Sequence, residues 1–330
     1  MRDNYKKENY LIKKIEPFKA KEVKNVNDLL SSLKNCGFQG GNLGKALDIL
    51  EKMVMNDDCL TVMTLSGAMV PAGMGDLICV LMEYKFIDVL ITTGANIIHD
   101  LVDSFTNGGH YIGSSDVDDS ELFQFRINRV YDVFLPEDNY ELVEKELLHK
   151  IKEIFLEKKV NIVPSELLRK IGEKLENRSI LSIAAKKNIP IFVPAFSDSE
   201  FALNLIKYMV REGFDFQFDI LKDVQIFANI ISNSKRSGTL IVGGGVPRNW
   251  AQQIFPLLDQ LGHINTMGYN YSVRIHTAIE YDGGLSGCTF SESKSWGKYS
   301  LDSTYVSVWC EATIALPILV TGLLQRLKIQ

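Results

Sequence analysis

The densest run of potentially reactive side chains lies in the final quarter of the chain, where Asp282, Ser286, Glu292, Trp296, Lys298 and Glu311 fall within thirty residues. Glycines at 283, 284, 287 and 297 are interspersed among them and suit irregular backbone at a site. A lysine two residues after a tryptophan can be an amine desolvated by the indole. Its pKa then falls, because burial disfavours the charged form, and a neutral nucleophile for imine formation results. The same spacing also fits a solvated Lys298 with Trp296 in the core.

Four further stretches place small or polar residues where strands end: TLSGAMVPAG (64–73), TTGAN (92–96), FSDSE (196–200) and GGGVPRN (243–249). Ligands of open α/β sheets bind at those ends. The glycines at 243–245 let backbone approach a phosphate or ribose, and the following helix can aim N–H groups at an anion. GxGxxG spacing is not met, so a tight turn fits as well. Asp198 suits a ribose hydroxyl or a helix cap. Thr92 and Thr93 suit a cofactor contact or a strand end, and His99 a ligand contact or a structural position. Five histidines without an HExxH pattern argue against a catalytic metal.

The elements that must position these loops follow from periodicity. Residues 26–54 read as two amphipathic helices separated by a Gly-rich turn, GFQGGNLG (37–44). CLTVMTLSG, GMGDLICVLMEYK and FIDVLITTG form a βαβ unit. Residues 117–159 pass from a polar connection into a long amphipathic helix, and a helix at 165–176 is expected to be capped by Ser165. Ser197 and Glu200 have capping-box spacing. Strand grammar returns at 188–210, 238–255 and 270–284, and ATIALPILVTGLL (312–324), too short for a membrane span, reads as a buried helix. Alternating strands and helices predict a doubly wound, Rossmann-like, mostly parallel sheet with helices on both faces. The expected division is an N-terminal arm over 1–25 and one large domain over 26–330.

Composition narrows the function classes. A chain of 330 residues, 46% hydrophobic and 23% charged, is expected to fold as an ordinary globular protein. Its net charge of −5 gives no support for nucleic-acid binding and favours cationic partners. Five widely spaced cysteines suggest neither zinc nor disulfides, and a reducing cytoplasm is expected.

Taken in order, GFQGGNLGKA (37–46), SGAMVPAG, IDVLITTG, INRVYDVFLP (127–136), IPIFVPAFSDSE, IVGGGV, YDGGLSG, ESKSWGK and CEATIALPILV resemble the deoxyhypusine synthase family. The resemblance implies NAD-dependent aminobutyl transfer: hydride leaves spermidine, diaminopropane departs, and the butylimine is carried on a lysine before passing to an acceptor amine. Lys298 matches that lysine. Glu292 matches a substrate-binding glutamate, and Trp296 can exclude water and stack on a cationic chain.

Thr93, Gly94, Asp198, Gly244, Thr277 and Ala278 match family positions at NAD; Asp282 and Ser286 fit the same loop, and Glu311 replaces an aspartate. The 67–71 segment is expected to contact the dinucleotide through backbone. The family is a homotetramer with sites assembled between paired subunits. Leu203 and Leu285 stand where the family has polyamine-binding aspartates, Asn249 where it has a histidine, and His99 where it has a glutamate. Lost carboxylates imply a changed donor or donor pose. They resemble a divergent bacterial-type branch, some of whose members make homospermidine by passing the aminobutyl group to putrescine. Modification of a lysine on a translation factor, and a non-catalytic polyamine- or NAD-binding scaffold, are the competing expectations.

Overall fold

The computed structural model describes residues 10–106, 109–263 and 268–329; residues 1–9 of the expected arm lie outside this range. Residues 10–25 are irregular apart from a 3-10 turn at Ala20–Glu22. Helix α1 (Val26–Leu33) is started by Asn25, whose side chain accepts the Asp28 N–H at 2.8 Å. The Gly-rich stretch expected to be a turn instead forms the first turns of α2 (Phe38–Val54). Its glycines serve close packing: a Cβ at Gly44 would lie 2.5 Å from the Leu30 carbonyl oxygen, so only glycine lets α2 press on α1 here.

The chain continues through β1 (Cys59–Leu65), α3 (Gly75–Glu83), β2 (Val89–Thr92) and α4 (Gly94–Thr106). An arm follows, with β3 (Tyr111–Ile112), α5 (Asp119–Gln124), β4 (Ile127–Val130) and β5 (Val133–Pro136), whose strands pair antiparallel in the order β3-β5-β4. This small sheet replaces the polar connection expected before the long helix α6 (Glu137–Ile154). Next come β6 (Lys159–Ile162), α7 (Pro164–Glu173), α8 (Ile180–Lys187), β7 (Ile191–Phe192), α9 (Glu200–Glu212), β8 (Asp215–Phe218) and α10 (Ile220–Ser232). The chain closes with β9 (Arg236–Val242), α11 (Gly245–Gln260), β10 (Tyr269–His276), α12 (Phe290–Ser295), β11 (Tyr299–Trp309) and α13 (Ala312–Arg326).

Six strands form one wholly parallel sheet in the order β11-β10-β9-β1-β2-β7. Both faces are covered. Met63, Leu65, Leu90, Leu240, Val242, Val273 and Ile275 join a core with α2 and α13, whereas Val62, Val89, Ile91 and Ile241 face α10 and α11. That two-sided burial explains why the strands read as largely apolar runs, interrupted by the buried Thr61, Thr64, Thr239, Ser272 and Arg274. The doubly wound α/β expectation holds, and so does the buried helix at the C-terminus, where Leu316, Leu319 and Leu323 are fully buried.

Two expected caps differ. Ser165 donates its hydroxyl to Asp223 Oδ1 at 2.5 Å and does not cap α7, which starts at Pro164. At α9 the cap is Ser199, accepting the Ala202 N–H at 3.3 Å, and Glu200 binds Lys207 Nζ at 2.9 Å. No described helix is long and apolar enough to cross a membrane.

Candidate active site

The carboxyl ends of β1, β9, β10 and β11 open into a cleft of about 920 Å³, closed on one side by the β3–β5 arm. Ser66–Met69, Gly243, Thr277 and Glu311 line it, with His110 and Tyr131 from the arm. Gly67 (φ 75°) and Gly243 (φ 80°) take left-handed backbone there, which leaves main chain exposed without side-chain bulk. A Cβ at Gly244 would meet the Ser286 carbonyl oxygen at 3.0 Å, so the glycine loop and the 282–288 loop touch through backbone. Glu311 caps α13, accepting the Thr313 N–H at 2.9 Å. Burial pushes its carboxyl up, but hydrogen bonds from the Thr313 side chain and backbone outweigh this and hold it below its ordinary range. A cleft of this size with backbone-lined glycine loops and a carboxylate at its rim fits a dinucleotide.

Thr93, Gly94 and Asp198 gather at the neighbouring ends of β2 and β7. The Thr93 hydroxyl accepts from Asn96 Nδ2 at 3.3 Å, and a side chain at Gly94 would overlap Ser199. Asp198 is exposed and has no capping task, because Ser199 performs it. His99 is buried on α4, and its Nδ1 lies 2.8 Å from His110 Nε2, while His110 Nδ1 lies 2.7 Å from Asp103 Oδ1. If Asp103 holds the proton on His110 Nδ1, His110 Nε2 accepts from His99 Nδ1–H, which leaves His99 Nε2 as an acceptor. Burial and the neighbouring His110 push the His99 imidazole down to about 4. His99 is therefore reached from the cleft through His110.

Lys298 occupies a separate corner beside α11 and α12. Thr289 caps α12 by accepting the Glu292 N–H at 3.0 Å, and Gly297 (φ 69°) turns the chain so that the Lys298 N–H donates to the Ser293 carbonyl at 3.1 Å. The next residue, Tyr299, is buried and accepts from Gln252 Nε2 at 2.7 Å, which pins the lysine backbone to the core. Lys298 Nζ donates to Asn249 Oδ1 at 3.2 Å and lies 5.8 Å from the centre of the Trp296 ring. Burial pushes the ammonium pKa down; Cys288 opposes, Arg248 adds to the lowering and Glu292 opposes. Trp296 is 64% exposed, so it is not a core residue. Glu292 and Asn249 at this corner are exposed, and in the preceding stretch Asp282 and Leu285 are exposed while Ala278 and Ser286 are partly buried. Lys298 is not among the residues lining the dinucleotide-sized cleft.

A half-buried amine, an aromatic face and a carboxylate at the surface form an arrangement suited to imine chemistry on a cationic chain. The model of the family described as deoxyhypusine synthase matches residues 28–323. The chain belongs to the deoxyhypusine synthase family. "Probable deoxyhypusine synthase 2" of Archaeoglobus fulgidus is 38% identical over 291 residues, covering 87% of this chain and 94% of the relative. "Deoxyhypusine synthase-like protein" of Chlorobaculum tepidum is 33% identical over 301 residues, covering 89% of this chain and 85% of the relative. The crystal structure of a "putative deoxyhypusine synthase" from Entamoeba histolytica shares the fold at a TM-score of 0.65 and 21% identity, over 93% of this chain and 96% of that one.

Within this deoxyhypusine synthase fold, the residue types and spacing did not single out Arg248, Arg274, His110 or His276. The available signal was a charged residue inside the apolar strand YSVRIH, where Arg274 is 3% exposed. Among the described residues no group of three or more His, Cys, Asp or Glu side chains is placed to hold a metal.

Proposed function

We propose that this member of the deoxyhypusine synthase family is an NAD-dependent aminobutyltransferase that carries the aminobutyl group of a polyamine as an imine on Lys298 and passes it to a small amine, putrescine, giving homospermidine. Family membership supports the aminobutyl transferase class. The observation that carries the finer reading is the Lys298 amine, held by Asn249 at 3.2 Å, flanked by the Trp296 ring and pushed towards its neutral form by burial.

NAD, when bound, takes up and returns one hydride. The residues that would hold it are Thr277, Glu311, Gly243 and the 66–69 loop around the cleft, with Thr93, Gly94, Asp198, Gly244, Ala278, Asp282 and Ser286 on adjoining loops. After hydride removal from the donor carbon, the neutral Lys298 amine attacks that carbon; diaminopropane leaves with the former amine nitrogen, and the aminobutyl unit is joined to Nζ through C=N. Glu292 holds the far ammonium group, and Trp296 excludes water and faces the cationic chain. The acceptor amine then displaces Nζ, and hydride return gives the secondary amine.

Leu203 and Leu285, 51% and 63% exposed, leave apolar surface at two positions expected to carry carboxylates, which supports a small acceptor and a changed donor pose. A site completed between subunits of a homotetramer is supported by Trp296 being exposed and by Lys298 lying outside the cleft. Five free thiols support a reducing, cytoplasmic setting. The second reading, modification of a protein lysine, is supported by the names of the curated relatives. Purified protein incubated with NAD, spermidine and putrescine, alongside a reaction containing the translation factor, separates the two by mass spectrometry. Homospermidine with unmodified factor is expected; modified factor without homospermidine overturns the small-amine reading.

A further inference from the structure

Two arginines are buried beneath the loop that precedes the lysine corner. Arg274, on β10, is 3% exposed, and Arg248, in the first turns of α11, is 6% exposed. Among the described residues neither is ion-paired to a carboxylate. Their partners are carbonyl oxygens. Arg274 donates from Nη1 to Cys288 at 2.8 Å, from Nε to Gly243 at 3.3 Å and from Nη2 to Ser286. Arg248 Nη1 donates to the same Ser286 carbonyl at 3.2 Å. Burying two cations side by side without a counter-charge is costly, and an apolar side chain of similar volume would avoid the cost. A positive field at this place therefore has a use beyond holding a loop.

The neighbour it acts on is Lys298. Arg248 adjoins Asn249, the residue that accepts from Lys298 Nζ, and Arg274 grips Cys288 and Ser286, which lead into α12 and the lysine itself. We propose that Arg248 and Arg274 are positioning residues for Lys298: together they clamp the 282–288 loop by its carbonyls, and Arg248 sets positive charge beside the reacting amine. The consequence is that Arg248 opposes a proton on Nζ and adds to the effect of burial, which favours the nucleophilic form of the amine. The groups facing Lys298 are Cys288 from the loop and Glu292 from α12, which favour the ammonium, and Arg248 from α11, which opposes it. Burial, and then the neighbouring Arg248, push Arg274 down to about 10, with Tyr299 and Cys288 opposing.

This rests on Lys298 being the reactive amine, but its test reads the amine directly and needs no turnover. The full-length protein is labelled with formaldehyde and cyanoborohydride across a pH series, and methylation of Lys298 is followed by peptide mass spectrometry against the exposed Lys235. Arg248→Gln keeps a donor for the Ser286 carbonyl and removes the charge. It is expected to move the Lys298 labelling midpoint to higher pH and to slow labelling about threefold at neutral pH. Arg248→Lys, which keeps the charge, is expected to restore the wild-type profile, and Lys235 labels alike in all. Arg274→Gln is the second variant, with the same expected direction. Wild-type labelling in both glutamine variants overturns the proposal, as does Arg248→Lys labelling as slowly as Arg248→Gln. A charge-dependent profile in a protein that transfers no aminobutyl group would leave the clamp standing and remove the proposed function instead.

Discussion

Replacing Asn249 by aspartate keeps the shape of the side chain and puts a carboxylate where a neutral amide oxygen now lies 3.2 Å from Lys298 Nζ. Opposite unit charges at that separation attract by about 1.3 kcal/mol in bulk water and by about 5 kcal/mol at an effective dielectric of about 20. Asn249 is exposed and Lys298 half-buried, so screening keeps the effect near the lower figure, on the order of 1.5–2 kcal/mol. Since about 1.4 kcal/mol corresponds to a tenfold change in protonation equilibrium, the neutral fraction below the amine pKa falls tenfold or more. The sign follows from the charged form gaining a partner: the amine pKa rises, and the acid limb of the rate profile moves to higher pH. Well above the new pKa the variant recovers. The assay is single-turnover imine formation, trapped with borohydride on Lys298 and quantified by mass spectrometry from pH 6 to about pH 10. An equal loss at every pH would refute the reasoning, because Asn249 would then be a substrate contact and not a partner of the reacting amine.

Lys298→Ala should abolish transfer, by more than about a thousandfold given the loss of the covalent step, while NADH binding followed by its dihydronicotinamide fluorescence and the melting temperature stay near wild type. Leu285→Asp should lower the KM for spermidine several-fold, because it returns a carboxylate to an exposed loop and because Leu285 sits at φ 58°, a conformation that aspartate tolerates better; an unchanged KM would place Leu285 away from the donor. Asp100 is buried, accepts the Ile180 and Leu181 N–H groups, and is pushed by burial from 3.8 to about 7. An acid with a raised folded pKa holds its proton more tightly in the native state, so stability is full below about pH 4 and falls as pH rises to about 7. Denaturant midpoints should show that decline in the wild type and lose that contribution in Asp100→Asn.

What periodicity revealed was the sheet, because strands buried on both faces become continuous apolar runs such as TLIV and VLIT, and these announce themselves in any sequence. It failed at GFQGGNLG for a tertiary reason. The glycines look like turn residues, but Gly44 sits in α2 because α1 passes too close for a side chain. The antiparallel arm was hidden because β3 has two residues and β4 and β5 have four each, too few for alternation to stand out. At the site, the loop glycines and Lys298 were legible through their types, whereas Arg248 and Arg274 were not, since what distinguishes them is burial against carbonyls contributed by distant loops. Trp296 was ambiguous for the same reason: exposure is a property of neighbours, and its nearest neighbours in sequence say nothing of it.

One of the two middle strands of the sheet has a consequence for synthesis. β1 is paired on one side by β2, close behind it in sequence, and on the other by β9, whose partner register joins Cys59 to Arg236 and Leu65 to Val242. A nascent chain that has made β1 and β2, the latter ending at Thr92, must therefore wait for about 150 more residues, to Val242, before the other edge of β1 can be closed. Until then a mostly apolar strand presents unpaired N–H and C=O groups, the template for intermolecular strand addition. Chains cut between β2 and β9 should aggregate, and the intact chain should fold slowly and gain yield from a slower ribosome or a chaperone that shields that edge.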